Sequence, residues 1–143
     1  MAKSSVAVAA PYDFALLLGI RASNLNELLR AIARGISFEA MERLQRAIGV
    51  DVAELIQVPP RTLRRRKQEG RFTPEESDRL VTAARVISRV LDLFHGDAQA
   101  ARTWLTDPAI AFNGATPIDV ARSETGAREV EDLVGRIQHG VFW

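Results

Sequence analysis

The chain has 143 residues, enough for one or two small domains with hydrophobic cores. Its 47% hydrophobic and 26% charged residues are usual for a globular protein and exclude a wholly disordered one. It has no cysteine, which excludes disulfides and thiolate chemistry, and no apolar stretch approaches the roughly 18 residues that span a bilayer. We therefore expect a soluble, cytoplasmic protein without a membrane segment.

The net charge of +1 conceals one basic segment. Residues 61–71 carry six basic side chains against one acidic side chain, and residues 1–60 carry six of each sign. Residues 72–143 carry seven basic and eleven acidic side chains. A single basic segment in an otherwise balanced or acidic chain indicates a local anion-binding surface, so we expect a partner with phosphates or carboxylates.

Capping residues and glycines divide the first part of the chain into helices. Apolar residues recur every three or four positions and strand-like alternation is weak, so we predict an all-α fold. After a disordered tail over residues 1–12, an apolar segment from Phe14 to Leu18 is ended by Gly19. Ser23 or Asn24 caps a helix that continues through Arg34. Four of its residues are expected to face the core: Leu25, Leu28, Leu29 and Ile32.

Two further helices follow before a proline break. Ser37 begins a helix that ends at Gly49, and Asp51 caps a short helix. The inward residues expected in the first of these are Phe38, Met41, Leu44 and Ile48. Pro59-Pro60 interrupts the chain because neither residue can donate a backbone hydrogen bond. Pro60 can also serve as the first residue of the next helix.

The clearest helix start in the chain is Thr73-Pro74-Glu75-Glu76, where Thr73 is the N-cap and Glu76 is placed to complete a capping box. This long helix is expected to run to His95, with Gly96 after it. Shorter helices follow from Asp97 to Leu105 and from Thr116-Pro117 to Arg122. A last helix starts at Thr125, and its expected inward residues are Val130, Leu133, Val134 and Ile137.

The segment from Val52 to Arg66 resembles a helix-turn-helix. Ala53 is small where two helices would cross, Val58 is the apolar turn residue, and Leu63 is the inward anchor of the second helix. Two positions depart from the pattern: Gln57 replaces the glycine common at the turn, and Arg66 occupies the second inward position.

The basic segment falls on the second helix of this motif, where it would read DNA. With Leu63 inward, steps of about 100° per residue place Arg61, Arg65 and Gln68 on the opposite face, with Thr62 and Arg64 beside them. Arg61 and Arg65 are candidates for bidentate pairing with guanine. Arg64, Lys67 and Arg71 are candidates for phosphate contacts. The alternative is a solvated charged face. Because such motifs usually bind paired half-sites, we expect a homodimer.

Nothing in the sequence indicates an enzyme. His95 and His139 lie far apart and neither has a second ligand-type residue at metal-binding spacing. No glycine-rich phosphate loop or nucleophile elbow is present. We expect no metal and no cofactor.

The C-terminal residues carry a motif that resembles a known family. In order, the elements are Trp104-Leu105, Pro108, Gly114-Ala115-Thr116-Pro117, Thr125-Gly126-Ala127-Arg128-Glu129-Val130 and Arg136-Ile137-Gln138-His139-Gly140. Their order and spacing resemble the toxin-binding domain of the Xre/MbcA/ParS-like antitoxins, bacterial proteins that neutralise a partner toxin. Together with the helix-turn-helix, the resemblance covers most of the chain beyond about residue 20.

The resemblance implies an antitoxin that inhibits a RES-domain, NAD-degrading toxin, forms a hetero-oligomer with it, and represses its own operon through operator DNA. The expected architecture is a helix-turn-helix bundle over residues 13–86, joined by a long helix to a small helical toxin-binding domain over residues 87–143. The toxin-binding candidates are Arg128, Arg136, His139, Val141, Phe142 and Trp143. The apolar tip Val141-Phe142-Trp143 either packs on its own core or is held for the toxin. A plain transcriptional regulator with a C-terminal dimerisation or effector module is the alternative function.

Overall fold

A computed structural model describes residues 12–140 and confirms the all-α fold over that range. The described residues form a 3-10 helix, Asp13–Leu18, and eight α-helices: α1 Leu25–Arg34, α2 Phe38–Ile48, α3 Val52–Leu55, α4 Pro60–Glu69, α5 Pro74–Leu93, α6 Ala98–Thr106, α7 Pro117–Val120 and α8 Glu124–Gln138. A second 3-10 helix, Ile110–Phe112, lies between α6 and α7. Within residues 12–140, no helix is both long enough and apolar enough to cross a membrane.

The predicted helix starts in the first half are confirmed, and those of α1, α2, α3 and α5 have a side chain that satisfies a free backbone amide. The side chains of Asn24, Ser37 and Asp51 each accept a hydrogen bond from the amide three residues later. Thr73 and Glu76 form the reciprocal capping box of α5. Pro60 is the first residue of α4.

The prediction for the buried face of α1 is wrong at two of its four positions. Leu28 is buried and Ile32 is half-buried, but Leu25 and Leu29 are 53% and 50% exposed. The physical reason is that α1 packs mainly against one neighbour, α5, which covers only a narrow stripe of its surface.

Helix α5 is the centre of the molecule. It packs against the first 3-10 helix, α1, α2 and α3 from the N-terminal part of the chain, and against α6 and α8 from the C-terminal part. Leu80, Val81, Ala84 and Ile87 are buried along one side of the helix, and residues on other sides are buried as well: Ala83, Val86 and Val90. One continuous hydrophobic core therefore serves both parts of the chain.

Helix α5 is shorter than predicted, and α8 begins one residue earlier than predicted. Helix α5 ends at Leu93 because the chain turns back at His95, which has a φ of 54°, so that the Gly96 amide donates to the Leu91 carbonyl. Helix α8 begins at Glu124, because the hydroxyl of Ser123 accepts from the Gly126 amide and caps it.

Gly126 holds α8 close to the preceding turn. A Cβ at this position would overlap the carbonyl oxygen of Val120 and lie 3.1 Å from the Ser123 hydroxyl oxygen. The close approach of α7 to α8 therefore requires glycine here for steric reasons, which explains physically the glycine in the Thr125-Gly126 pair.

We predict that Gly126→Ala lowers the free energy of unfolding by about 1 to 3 kcal/mol, because the added methyl group forces the α7–α8 backbones apart. Urea unfolding of both proteins measures this difference. Gly135→Ala is the matched control on the same helix: its Cβ would lie 3.6 Å from the Arg89 guanidinium. It should be neutral or stabilising by up to about 1 kcal/mol. Equal effects of the two substitutions would contradict the steric explanation.

Candidate functional site

The turn between α3 and α4 has the backbone shape of a helix-turn-helix. Gln57 has a φ of 60°, the left-handed conformation that glycine adopts at least cost. The Val58 amide donates to the Ala53 carbonyl across the turn, and Val58 is buried. The sequence departure at Gln57 thus changes the residue without changing the geometry.

The inward side of α4 rests on one apolar contact and one ion pair. Leu63 is half-buried against the core. Arg66 extends to the capping residue of α5: its Nε lies 2.6 Å from Glu76 Oε1 and its Nη2 lies 3.1 Å from Oε2. Both side chains are only about one-tenth exposed, at 12% and 10%. The unusual arginine at the second inward position therefore has a buried partner that fixes α4 to α5.

The electrostatics of this pair favour its charged form. Burial raises the pKa of Glu76, but hydrogen bonds from Arg66 and from the Thr73 amide outweigh burial, so the pKa of Glu76 is lowered overall. The hydrogen bond to Glu76 raises the pKa of Arg66. The same carboxylate thus completes a helix cap and holds the neighbouring helix.

The outer side of α4 presents the predicted DNA-binding side chains to solvent. The exposed residues are Arg61, Arg64, Arg65, Lys67 and Gln68, while Thr62 is half-buried. None of the five exposed side chains makes a hydrogen bond or ion pair with another residue in the range 12–140. Four unpaired cations on one helical turn and a half are therefore available to an external anion.

Arg71, also a phosphate candidate, lies at the base of this surface. It is exposed, but its Nη1 donates to the carbonyl oxygens of Arg34 and Gly35, both at 3.0 Å. This guanidinium therefore caps the C-terminal end of α1, where a positive charge is favourable. Its contact with phosphate stays a prediction.

The toxin-binding candidates within the described residues lie on α8 and just after it. Arg128 is exposed and its Nε is 3.3 Å from Glu124 Oε1. Arg136 is half-buried, and His139 is exposed immediately after the helix. Val141, Phe142 and Trp143 lie outside the described residues.

The structure brings two of these candidates together with a residue that sequence reasoning missed. Arg136 and His139 line a shallow cavity with Arg89 from α5, whereas Arg128 lies two turns earlier on α8. The cavity exists because α8 runs alongside α5. No local pattern in the sequence encodes that pairing, so nothing in the spacing singled out Arg89.

Polar contacts also tie the C-terminal part of the chain to the helix-turn-helix. Arg122, just after α7, places Nη2 2.7 Å from Glu54 Oε1 on α3. Arg79 on α5 donates from Nε to the Ile56 carbonyl oxygen at 2.8 Å. The first helix of the motif is thus held both by the central helix and by the C-terminal part.

Comparison with known proteins assigns α4 and α8 to two different domains. The C-terminal toxin-binding domain of Xre/MbcA/ParS antitoxins matches residues 89–140, and the antitoxin Xre-like helix-turn-helix domain matches residues 27–85. An antitoxin Xre of Yersinia enterocolitica is 39% identical over 129 residues, which make up 87% of this chain and 87% of that protein. The chain belongs to the Xre/MbcA/ParS antitoxin family.

Two other relatives match a smaller part of the antitoxin. An antitoxin Xre of Photorhabdus laumondii is 38% identical over 78 residues, 54% of this chain and 53% of that protein. One of Pseudomonas putida is 33% identical over 84 residues, 58% of this chain and 52% of that protein. As a member of this family, the protein has a helix-turn-helix part and a toxin-binding part. The exposed, unpaired cations of α4 lie in the helix-turn-helix part, and α8 lies in the toxin-binding part.

We predict that Glu76→Gln destabilises the antitoxin by about 1.5 to 3 kcal/mol at pH 7. Glutamine can still complete the capping box, so the loss measures the charged hydrogen bonds to Arg66. Because the folded-state pKa of Glu76 is lowered, its contribution is fully present above the ordinary pKa of glutamate and is lost as the pH falls through the lowered folded-state pKa.

Denaturant unfolding of wild type and variant between pH 3 and pH 7 checks this prediction. Glu69→Gln is the control, since Glu69 pairs with the same arginine at 3.2 Å but is 52% exposed. Its effect should stay below about 1 kcal/mol. A Glu76→Gln effect that is constant across this pH range would contradict the assignment to the ion pair.

Proposed function

We propose that this antitoxin binds and inhibits a RES-type toxin that degrades NAD, and that it represses its own operon by binding operator DNA. The observation that carries the proposal is the placement of two separate unsatisfied surfaces, the outer face of α4 and the last turn of α8, on the two family domains. We place the functional division near residue 86, inside α5, with residues 13–86 directed to DNA and residues 87–143 to the toxin. Because its proposed partners are the operator DNA and a toxin that degrades NAD, we propose that the antitoxin acts in the cytoplasm.

The outer face of α4 suits the major groove of DNA. Arg61 and Arg65 are four residues apart and exposed, so they lie one above the other on the side opposite Leu63. Arginine pairs bidentately with guanine O6 and N7, which gives these two residues the base-reading role. Thr62 and Gln68 lie beside them and can contact base edges or the backbone.

Phosphate contacts supply the remaining affinity. Arg64 and Lys67 are exposed and unpaired within residues 12–140, and Arg71 extends the same positive surface beyond the end of α4. Neutralising phosphates releases counterions, so these residues set the salt dependence of binding rather than its sequence preference.

Operator binding by a single helix-turn-helix reads only one half-site. We therefore propose that two copies bind together on a two-fold symmetric operator, one recognition helix to each half-site. With the toxin bound to each copy, the assembly becomes a hetero-oligomer.

The toxin side of the proposal concerns residues 128–143. A toxin that consumes a dinucleotide needs an open cleft that accepts phosphates and planar rings. Arg136 supplies positive charge at the end of α8, and His139, Val141, Phe142 and Trp143 follow it in the sequence. We propose that residues 136–143 enter or border this cleft and exclude the substrate, with Arg128 contacting its rim. A tryptophan buries about 150 to 250 Å² and is a frequent anchor in interfaces.

Two variants test this function, each measured for operator affinity and for toxin inhibition. The toxin in both assays is the product of the gene adjacent to the antitoxin gene. The first variant, Arg61→Ala/Arg65→Ala, should weaken binding to the DNA upstream of the operon by at least tenfold at fixed salt. It should inhibit NAD consumption by the toxin as wild type does. Unchanged operator affinity in this variant would exclude α4 as the recognition helix.

The second variant lacks Val141, Phe142 and Trp143. It should keep wild-type circular dichroism and operator affinity, yet need at least tenfold more antitoxin to inhibit the toxin, because the aromatic anchor is missing. Full inhibition at equal concentration would mean that the blocking surface lies elsewhere on the domain. An adjacent gene product that neither consumes NAD nor binds the wild-type antitoxin would contradict the proposed toxin class.

A further inference from the structure

A shallow cavity of about 380 Å³ lies between α5 and the end of α8. Four of its six lining residues are charged, Arg89, Glu131, Asp132 and Arg136, and Gly135 and His139 complete the lining. Here α5 contributes Arg89 to the surface of the toxin-binding domain. Its chemistry is therefore set by two helices whose relative position the shared core fixes.

The two arginines of this cavity differ from its glutamate in having no partner within residues 12–140. Glu131 is occupied outside it, since both of its carboxylate oxygens accept from Arg85 Nε at 3.0 and 3.1 Å. Within residues 12–140, Arg89 and Arg136 make no ion pair and donate no side-chain hydrogen bond. Of the two carboxylates that line the cavity, Asp132 alone has no arginine partner among the described residues, so two unpaired arginines face one unpaired carboxylate.

Gly135 forms the floor of the cavity, and packing does not require glycine there. Its φ lies outside the left-handed region, and the nearest atom to an added Cβ would be Arg89 Nη2 at 3.6 Å, an ordinary contact. A glycine inside a helix is nonetheless unfavourable relative to alanine. What glycine provides is open space directly beneath the Arg89 guanidinium.

The favourable effect of cations on a helix C-terminus explains only part of this arrangement. It accounts for Arg136 in the last turn of α8. It does not account for Arg89, which belongs to a different helix, or for the glycine below it.

We propose that this cavity receives a carboxylate side chain of the toxin, held by Arg89 and Arg136 over Gly135. This inference rests on the proposed toxin-binding function and deepens it by naming Arg89 as a binding residue and an aspartate or glutamate as its partner. Arginine suits that role, because its planar guanidinium binds a carboxylate through two parallel hydrogen bonds. Arg136 is shared with the segment proposed to enter or border the toxin cleft, whereas Arg89 is not, and the carboxylate contact does not require residues 141–143.

The experiment measures the dissociation constant of the full-length antitoxin for the product of the adjacent gene, by calorimetry or interferometry. Arg89→Gln removes the charge and should weaken binding at least tenfold, and Arg89→Glu should weaken it further through repulsion. Arg46→Glu is the matched control, since Arg46 is an exposed arginine on α2 that has no partner within the described residues, and it should bind as wild type does.

Gly135→Gln separates a binding role from a structural one. It fills the cavity without removing a charge, so affinity should fall at least tenfold while the melting temperature stays equal to or above that of wild type. Changing the partner aspartate or glutamate of the toxin to lysine should restore affinity to Arg89→Glu. Wild-type affinity in both Arg89 variants overturns the proposal, as does failure of every such toxin variant to restore binding.

These outcomes remain distinct from failure of the proposed function. If wild-type antitoxin does not bind the adjacent gene product, the function itself is wrong. If the wild type binds and the Arg89 variants bind equally well, only the carboxylate site is wrong.

Discussion

The burial of α5 on several sides is the constraint on which the rest of the structure depends. The helix carries nine buried residues, and elements from both ends of the chain pack on it. Within residues 12–140, neither the helix-turn-helix nor the toxin-binding part has a separate core, because their buried apolar residues form one cluster. Burial of apolar surface dominates folding free energies, so this shared helix sets the geometry of both parts.

Polar contacts add to the core in fixing how individual helices are oriented. The Arg66–Glu76 pair fixes the rotation of α4, and so decides which arginines face outward. The exposed pair between Arg122 and Glu54 joins α3 to the C-terminal part, but a pair of this kind contributes at most about 1 kcal/mol. The relative placement of the two parts therefore depends chiefly on the α5 core.

This arrangement bears on how the two functions can be separated. A fragment that begins at α5 would lose the neighbours of several buried residues on that helix, among them Leu80 and Val81. Point substitutions on exposed faces leave the core intact. They are therefore the appropriate way to distinguish DNA binding from toxin binding. The proposed boundary near residue 86 separates two functions and does not separate two independently folding units.

Features encoded locally could be predicted from the sequence, whereas features set by tertiary neighbours could not. The capping box of Thr73 and Glu76 and the cap at Asn24 follow from short-range hydrogen bonds, and the sequence patterns indicated them correctly. The exposure of Leu25 and Leu29 depends on how little of α1 its neighbour covers, which periodicity does not express.

Contacts between residues far apart in the chain could likewise not be predicted from the sequence. Arg66 looked like a mismatch at an inward position until Glu76 provided its partner. Gly126 belonged to a recognisable motif, but its steric reason is the carbonyl of Val120 on the preceding turn. Arg89 carried no motif, since only the alignment of α5 with α8 brings it beside Arg136.

A cryo-electron microscopy structure of the full-length antitoxin with its upstream DNA and the adjacent gene product tests the central claim most directly. The claim is that α4 and the end of α8, set by one shared helix, bind the two partners at the same time. We predict that Arg61 and Arg65 lie at base edges in the major groove, and that the last turn of α8 lies against the toxin cleft. DNA contacted by another element, or a toxin bound across α4, would contradict it.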